Sequence, residues 1–218
     1  MARSAAVVDQ VIEVPTEFGP ARAHVRTPAA VRGRLVLGHG AGGGIEAADL
    51  VAARAAAVGL GWQVVLVEQP WRVAGKRVAP APARLDVGWL AVLAGLPDPA
   101  GVPLVLGGRS AGARVACRTA LELGARAVCC LAFPLHPPGR PERSRAAELA
   151  APADAGVPVL IVQGHKDPFG GPAEIDALGL GPVEVVGVTG DHSLARTSAG
   201  AAEVAAAVAR RLSGWGQE

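Results

Sequence analysis

An α/β architecture, with helices on both faces of a mostly parallel eight-stranded sheet, is predicted by three observations. Apolar runs of strand length alternate along the chain with longer Ala-rich segments that carry charge at helical spacing. Two short runs near the N-terminus flank a Phe-Gly-Pro turn, the pattern of an antiparallel hairpin. The 218 residues are half apolar, enough for a single domain over residues 1–218 that buries roughly 70% of its unfolded surface.

The elements follow in order. Residues 7–14 and 21–26 form the hairpin. The runs 34–38, 63–68, 103–107, 127–133, 158–163 and 183–188 are almost continuously apolar, as strands covered on both faces must be. Between and after them lie helical patterns at 46–58, 84–94, 111–123, 172–178 and 199–212. The only long stretches without periodicity are 70–82 and 134–158. Each follows a strand end, where an open α/β sheet keeps its ligand crevice, and neither is long enough to build a large lid.

Composition removes several classes of function. A formal charge of +2, with acidic and basic residues interspersed, offers no block of like charge to grip phosphates, so nucleic acid is not an expected partner. The most basic run, residues 140–145, is broken by Pro141 and Glu142 and reads as a solvated loop. No apolar run approaches the ~18 residues of a membrane-spanning helix, and the start carries no signal-like segment, which predicts a cytoplasmic protein without membrane contact. Four Trp, three Phe and no Tyr leave the core to Ala, Val and Leu, and the excess of Arg over Lys with abundant Ala, Gly and Pro is the mark of GC-rich bacterial coding. Cys117, Cys129 and Cys130 lack metal-ligand spacing, and two fall inside a buried run, so they read as small core residues. No metal or cofactor is expected.

The chemistry concentrates after the run 103–107. There Gly108-Arg109-Ser110-Ala111-Gly112 matches G-x-S-x-G, with a strand before it and a helical pattern behind it. That strand-to-helix turn needs small residues on both sides so that the Ser oxygen can be thrust outward. With 29 Gly in the chain, chance alone supplies only about 0.1 such motifs before the flanking context is required. Ser110 is therefore the expected nucleophile.

A hydroxyl needs a base. Of the five His, His24 lies on the hairpin, His39 ends a strand, and His136 and His165 sit in strand-end loops. His192 alone follows the last strand, where the order nucleophile, acid, His requires the base. The acid that orients it belongs on the loop after the preceding strand, and Asp167 occupies that loop. Asp191 is the weaker choice because neighbouring side chains on an extended loop point apart. An oxyanion would be bound by backbone N–H groups. One comes from Ala111, and a second from Ala41 or Gly42 in the Gly-rich run 39–44, which lacks the Lys and Ser/Thr of a phosphate loop.

Six segments together carry a family resemblance: 39–44, Pro70-Trp71-Arg72 with Gly75, 108–113, the Phe-Pro-Leu-His-Pro-Pro-Gly of 133–139, 164–170 and 190–193. Over roughly residues 33–215 the chain resembles the KANL3/Tex30-like group of α/β-hydrolases, distantly similar to dienelactone hydrolases. The resemblance implies an α/β-hydrolase fold and the same triad of Ser110, Asp167 and His192. The chain departs from the group's pattern at Ala111-Gly112-Ala113, where Met-Gly-Gly is usual, and at Leu194, where an aromatic usually follows His-Ser. Dienelactone hydrolases use a Cys nucleophile where this chain has Ser110. The leading expectation is a serine hydrolase that cleaves an ester or thioester of a small acyl substrate through an acyl-serine intermediate. The alternative is a non-catalytic interaction module, since the group includes a subunit of a histone acetyltransferase complex. Trp71, Arg72, His136 and Leu194 are the expected pocket wall, with Arg72 either clamping a substrate carboxylate or tying down loop carbonyls.

Overall fold

Strand-length apolar runs and one-sided helices can bury their apolar surfaces together only by stacking helices against a sheet. The computed structural model, which describes residues 7–99 and 101–216, does so. The strands are β1 (Val8–Val14), β2 (Ala21–Thr27), β3 (Gly33–Gly38), β4 (Trp62–Glu68), β5 (Leu104–Arg109), β6 (Ala127–Leu131), β7 (Val159–Gly164) and β8 (Val183–Val188). The helices are α1 (Ala48–Gly59), α2 (Pro70–Val73), α3 (Pro82–Ala94), α4 (Ala111–Thr119), α5 (Ala146–Asp154), α6 (Pro172–Asp176) and α7 (Ser198–Trp215). The sheet runs in the order β1-β2-β4-β3-β5-β6-β7-β8. β1 and β2 pair antiparallel, β2 joins β4 antiparallel, and every pairing from β4 to β8 is parallel.

Alternation along the strands divides the core in two. Val36, Val65, Leu106, Cys130 and Ile161 face α3, α4, α5 and α6, while Leu35, Leu37, Val64, Cys129 and Leu160 face α1 and α7. Each fully buried Val or Leu contributes about 1.5–3 kcal/mol of transfer free energy, so both faces must be covered. The chain leaves β3 toward β4 and returns to place β5 on the other side of β3. That reversal opens a crevice at the carboxyl ends of β3 and β5.

The structure departs from the periodic reading where helices are short or hold Pro. α2 and α5 lie in the stretches read as loops, and α5 carries Pro152 within it. α5 is fixed by tertiary contact instead, burying Leu149 and packing on α4. The helical pattern 111–123 stops at Thr119, whose Oγ1 donates back to the Val115 carbonyl (2.9 Å). α3 starts earlier than expected, at Pro82, where a missing N–H costs nothing in the first turn. Neither long stretch forms a lid, and no helix among the described residues is long and apolar enough to cross a membrane.

Candidate active site

Ser110 sits at the sharp corner between β5 and α4 with φ 54° and ψ −109°, a conformation L-residues seldom adopt. Two things hold it there. Its N–H donates to the Leu131 carbonyl at the end of β6 (2.9 Å), and the end of β3 presses against the corner. A Cβ on Gly112 would overlap the Gly38 carbonyl group, and one on Gly108, at φ 152°, would meet the Gly38 oxygen at 2.5 Å. The two glycines of the motif thus serve the close approach of β3.

The loops after β7 and β8 bring Asp167 and His192 to this corner. Ser110 Oγ donates to His192 Nε2 (2.9 Å), and His192 Nδ1 donates to Asp167 Oδ2 (2.8 Å). The Asp167 carboxylate is fully buried as a side chain, yet both oxygens have partners. Oδ1 accepts from the Phe169 N–H (2.9 Å), and Oδ2 also accepts from Gln163 Nε2 (3.0 Å). The Phe169 ring lies 4.3 Å from the imidazole, centroid to centroid, and shields one side of it. An acceptor at Nδ1 and a hydroxyl donor at Nε2 suit the neutral ring protonated at Nδ1, which leaves Nε2 free to take a proton from the hydroxyl. The carboxylate of Asp191 is turned elsewhere, accepting from the Ser193 N–H (2.8 Å).

His39 is locked out of such a role. Its Nδ1 donates to the Gly40 carbonyl (2.9 Å), and its Nε2 accepts from the Gln69 N–H (3.2 Å). Burial pushes its pKa down, outweighing the Gly40 carbonyl, and the nearby Arg72 charge pushes the same way. It is a neutral brace for the turn that follows. In that turn Ala41 and Gly42 are exposed and Gly43 N–H closes onto the Gly40 carbonyl (3.4 Å), while Ala111 opens α4 with a first-turn N–H that has no helical partner.

The four residues expected in the pocket wall lie in different settings. Trp71 is buried on α2, packs against the His39 ring at 5.4 Å, and helps enclose a cavity of about 330 Å³ with Phe18, Gln69, Lys76, Val78 and Arg84. Arg72 is half-buried and makes no hydrogen bond or ion pair among the described residues. His136 is tied to the Pro137 carbonyl (2.9 Å) and to Glu174 Oε2 (3.0 Å), which raises its pKa, and the Gly171 N–H (2.8 Å) together with His136 lowers that of Glu174. The His136 N–H also holds the Phe169 carbonyl (3.0 Å), so it supports the Asp167 loop from behind. Leu194 is 1% exposed and packs inward among the residues of the α1 and α7 face.

Sequence reasoning passed over three residues. Gln163 donates through Nε2 to Asp167, to the Gly170 carbonyl (2.7 Å) and to the Phe133 carbonyl (3.1 Å), and a polar residue closing an apolar strand four before the acid was a usable signal. Phe169 offered none beyond proximity. Arg109, the variable residue of the motif, donates through Nε to Asp49 Oδ2 (2.8 Å) and through an Nη to the His192 carbonyl (2.9 Å). Its partners lie 60 and 83 residues away, beyond the reach of local pattern. Arg109 and Asp49 also line a cavity of about 240 Å³ beside the corner, with Gly42, Gly43, Ser193 and Arg196.

A family model described as an alpha/beta hydrolase domain matches residues 31–215. None of the curated proteins matches the chain. Among solved structures, an alpha-beta serine hydrolase homologue from Coxiella burnetii superposes with a TM-score of 0.76 at 18% identity, over 93% of this chain and 97% of that one. A member of the α/β serine hydrolases without lid, from Xanthomonas campestris, gives 0.76 at 20% identity over 95% and 94%. Est1E from Butyrivibrio proteoclasticus, in its structure with ferulic acid bound, gives 0.74 at 17% identity over 94% and 98%. At these identities the likeness establishes a shared fold.

Proposed function

The chain belongs to the alpha/beta hydrolase domain family, and from that premise we propose that it is a single-domain serine hydrolase whose triad is Ser110, His192 and Asp167. The observation that carries the reading is the unbroken hydrogen-bonded chain from the Ser110 hydroxyl through the imidazole to a buried carboxylate, at 2.9 and 2.8 Å. A scaffold has no use for three loops held in that register, which weighs against the interaction-module alternative.

In the proposed reaction Ser110 Oγ attacks the carbonyl carbon of an ester or thioester, and its proton passes to His192 Nε2. Asp167 stabilises the imidazolium so formed and keeps the ring in place. The carbonyl oxygen, now negative, is bound by the Ala111 N–H and by Ala41 or Gly42, with the N-terminus of α4 adding its positive end. Collapse expels the alcohol or thiol, which takes the proton from Nε2. Water then repeats the sequence on the acyl-Ser110 ester and releases the acid.

Small acyl groups are the favoured substrates in this reading, and a cavity of about 240 Å³ beside the corner, lined in part by Gly42, Gly43 and Arg109, is the space considered for them. The finer relationship to the KANL3/Tex30-like group, and a cytoplasmic location, belong to the same proposal. The test is labelling by a fluorophosphonate probe, followed by turnover of acyl esters of graded chain length with a feruloyl ester included. Stoichiometric labelling at Ser110 with preference for short acyl chains is expected. A folded protein that neither labels nor turns over any ester would overturn the reading.

A further inference from the structure

Arg109 joins three segments that the reaction needs in one register. Its Nε donates to Asp49 Oδ2 (2.8 Å) in the first turn of α1, directly after the Gly-rich turn. One of its Nη groups donates to the carbonyl of His192 itself (2.9 Å) and reaches Ser193 Oγ (3.4 Å). The other Nη lies under Gly40, where a Cβ would stand 2.8 Å from it, and the Arg109 backbone leads straight into Ser110. The guanidinium is 14% exposed and the Asp49 side chain 3% exposed, so the pair is a buried one. Burial raises the Asp49 pKa while the Arg109 charge opposes that rise.

Within the triad, Asp167 fixes the imidazole ring but nothing in it fixes the backbone that carries the ring. We infer that Arg109 is a positioning residue that sets the distance between His192 and Ser110 by clamping the His192 backbone to the end of β5, and that Asp49 orients the clamp. The planar fork suits this role because one rigid group meets three partners at once, which a single ammonium cannot do. Displacement of a reacting group by about 1 Å can cost on the order of 100-fold in rate.

The inference rests on the serine-hydrolase reading. Wild type, Arg109→Gln, Arg109→Lys and the double variant Arg109→Gln/Asp49→Asn are compared by thermal melting, by fluorophosphonate labelling rate and by steady-state hydrolysis of p-nitrophenyl acetate, well below every melting temperature. Arg118→Gln serves as control. It breaks a comparable network, to Asp86 (2.6 Å) and Glu148 (3.1 Å), on the far side of α4. A positioning role predicts kcat lowered about 10- to 100-fold in Arg109→Gln with KM within about threefold, a smaller loss in Arg109→Lys, and a labelling rate that falls with kcat. The double variant, which no longer buries an unpaired carboxylate, should melt higher than Arg109→Gln yet stay slow. Recovery of wild-type kcat in the double variant, or unchanged kcat in Arg109→Gln, would overturn the inference and leave the hydrolase reading standing. If Arg109→Gln does not fold, Arg109→Lys decides by the same kcat criterion. A wild type that does not label overturns both.

Discussion

The carboxyl edge of the sheet has two halves that are held together differently. At the ends of β5, β7 and β8, Ser110, His192 and Asp167 are joined by bonds of 2.8 to 2.9 Å, and Arg109 and Gln163 tie their loops from behind. Among the described residues the one buried side-chain polar atom left without a partner there is Gln163 Oε1. After β4 the pattern inverts. Gln69 Oε1, Trp71 Nε1 and Trp89 Nε1 are all buried without partners, and apart from the Gln69 bonds to His39 (3.2 Å) and the Leu85 carbonyl (3.0 Å) the side chains there meet by packing, beside a 330 Å³ cavity. Hydrogen bonds define one geometry within tenths of an ångström, whereas packing tolerates exchange of like volumes. The proposed chemistry therefore sits in the half that resists change, and the half that can be reshaped borders it.

The comparison is broken most severely by losing the relay. Ser110→Ala and His192→Gln should lower kcat by up to about 10⁶. Melting temperatures should move little, because neither side chain fills the core. Asp167→Asn should cost on the order of 10⁴ by presenting an amide to Nδ1, while Asp191→Asn costs less than about tenfold. Kinetics on p-nitrophenyl acetate with parallel melts measures both. An Asp191 effect larger than that of Asp167 would put the acid on the wrong loop.

Much of this edge was legible in the sequence because it depends on local rules. The strand runs, the Phe-Gly-Pro hairpin turn and the two glycines around Ser110 each answer a constraint met within a few residues. The order of Ser110, Asp167 and His192 along the chain follows from the fold's loop sequence. α2 and α5 were not legible, since four residues cannot show a helical period and Pro152 argues against one. The inward turn of Leu194 and the clamp made by Arg109 depend on partners far away in the chain.

A smaller effect should separate the halves by pH. Burial lowers the pKa of His39, so the unfolded chain binds the proton first as pH falls below the ordinary value of 6.5. That stability is fully present above 6.5 and is lost progressively beneath it. A protonated Nε2 would also face the Gln69 N–H, donor against donor. His136 opposes the trend, while Glu174 contributes evenly from pH 7.5 to pH 5. The raised His136 pKa adds stability below 6.5, the lowered Glu174 pKa adds it above 4.5, and the two overlap between those values. His39→Gln should therefore remove a component of the melting temperature that falls from pH 7.5 to pH 5, so that the variant loses less, or gains more, than the wild type across that range. An identical slope in the variant would show that the packed half does not depend on a neutral His39.

The smallest expected effect concerns Arg72, whose two readings the structure bears on unequally. A side chain that ties down loop backbone must donate to it, and Arg72 donates to nothing among the described residues. Its loop closes without it, through Ala74 N–H to the Pro70 carbonyl (3.0 Å) and Lys76 N–H to the Trp71 carbonyl (3.0 Å). Arg72→Ala should therefore change stability by no more than about 0.5 kcal/mol, the range of a substitution that breaks no hydrogen bond, ion pair or core contact. Its charge helps to lower the pKa of His39, at the foot of the Gly-rich turn, and the reading left open is a clamp on an anionic substrate. If it is one, Arg72→Ala should raise KM for hemisuccinate esters about tenfold, equivalent to about 1.4 kcal/mol, and leave acetate esters alone. Equal kinetics on both esters with unchanged melting would remove Arg72 from the pocket wall and move the boundary of the site inward to His39. A loss of several degrees in melting temperature would instead restore the structural role and show that the packed half is held by more than packing.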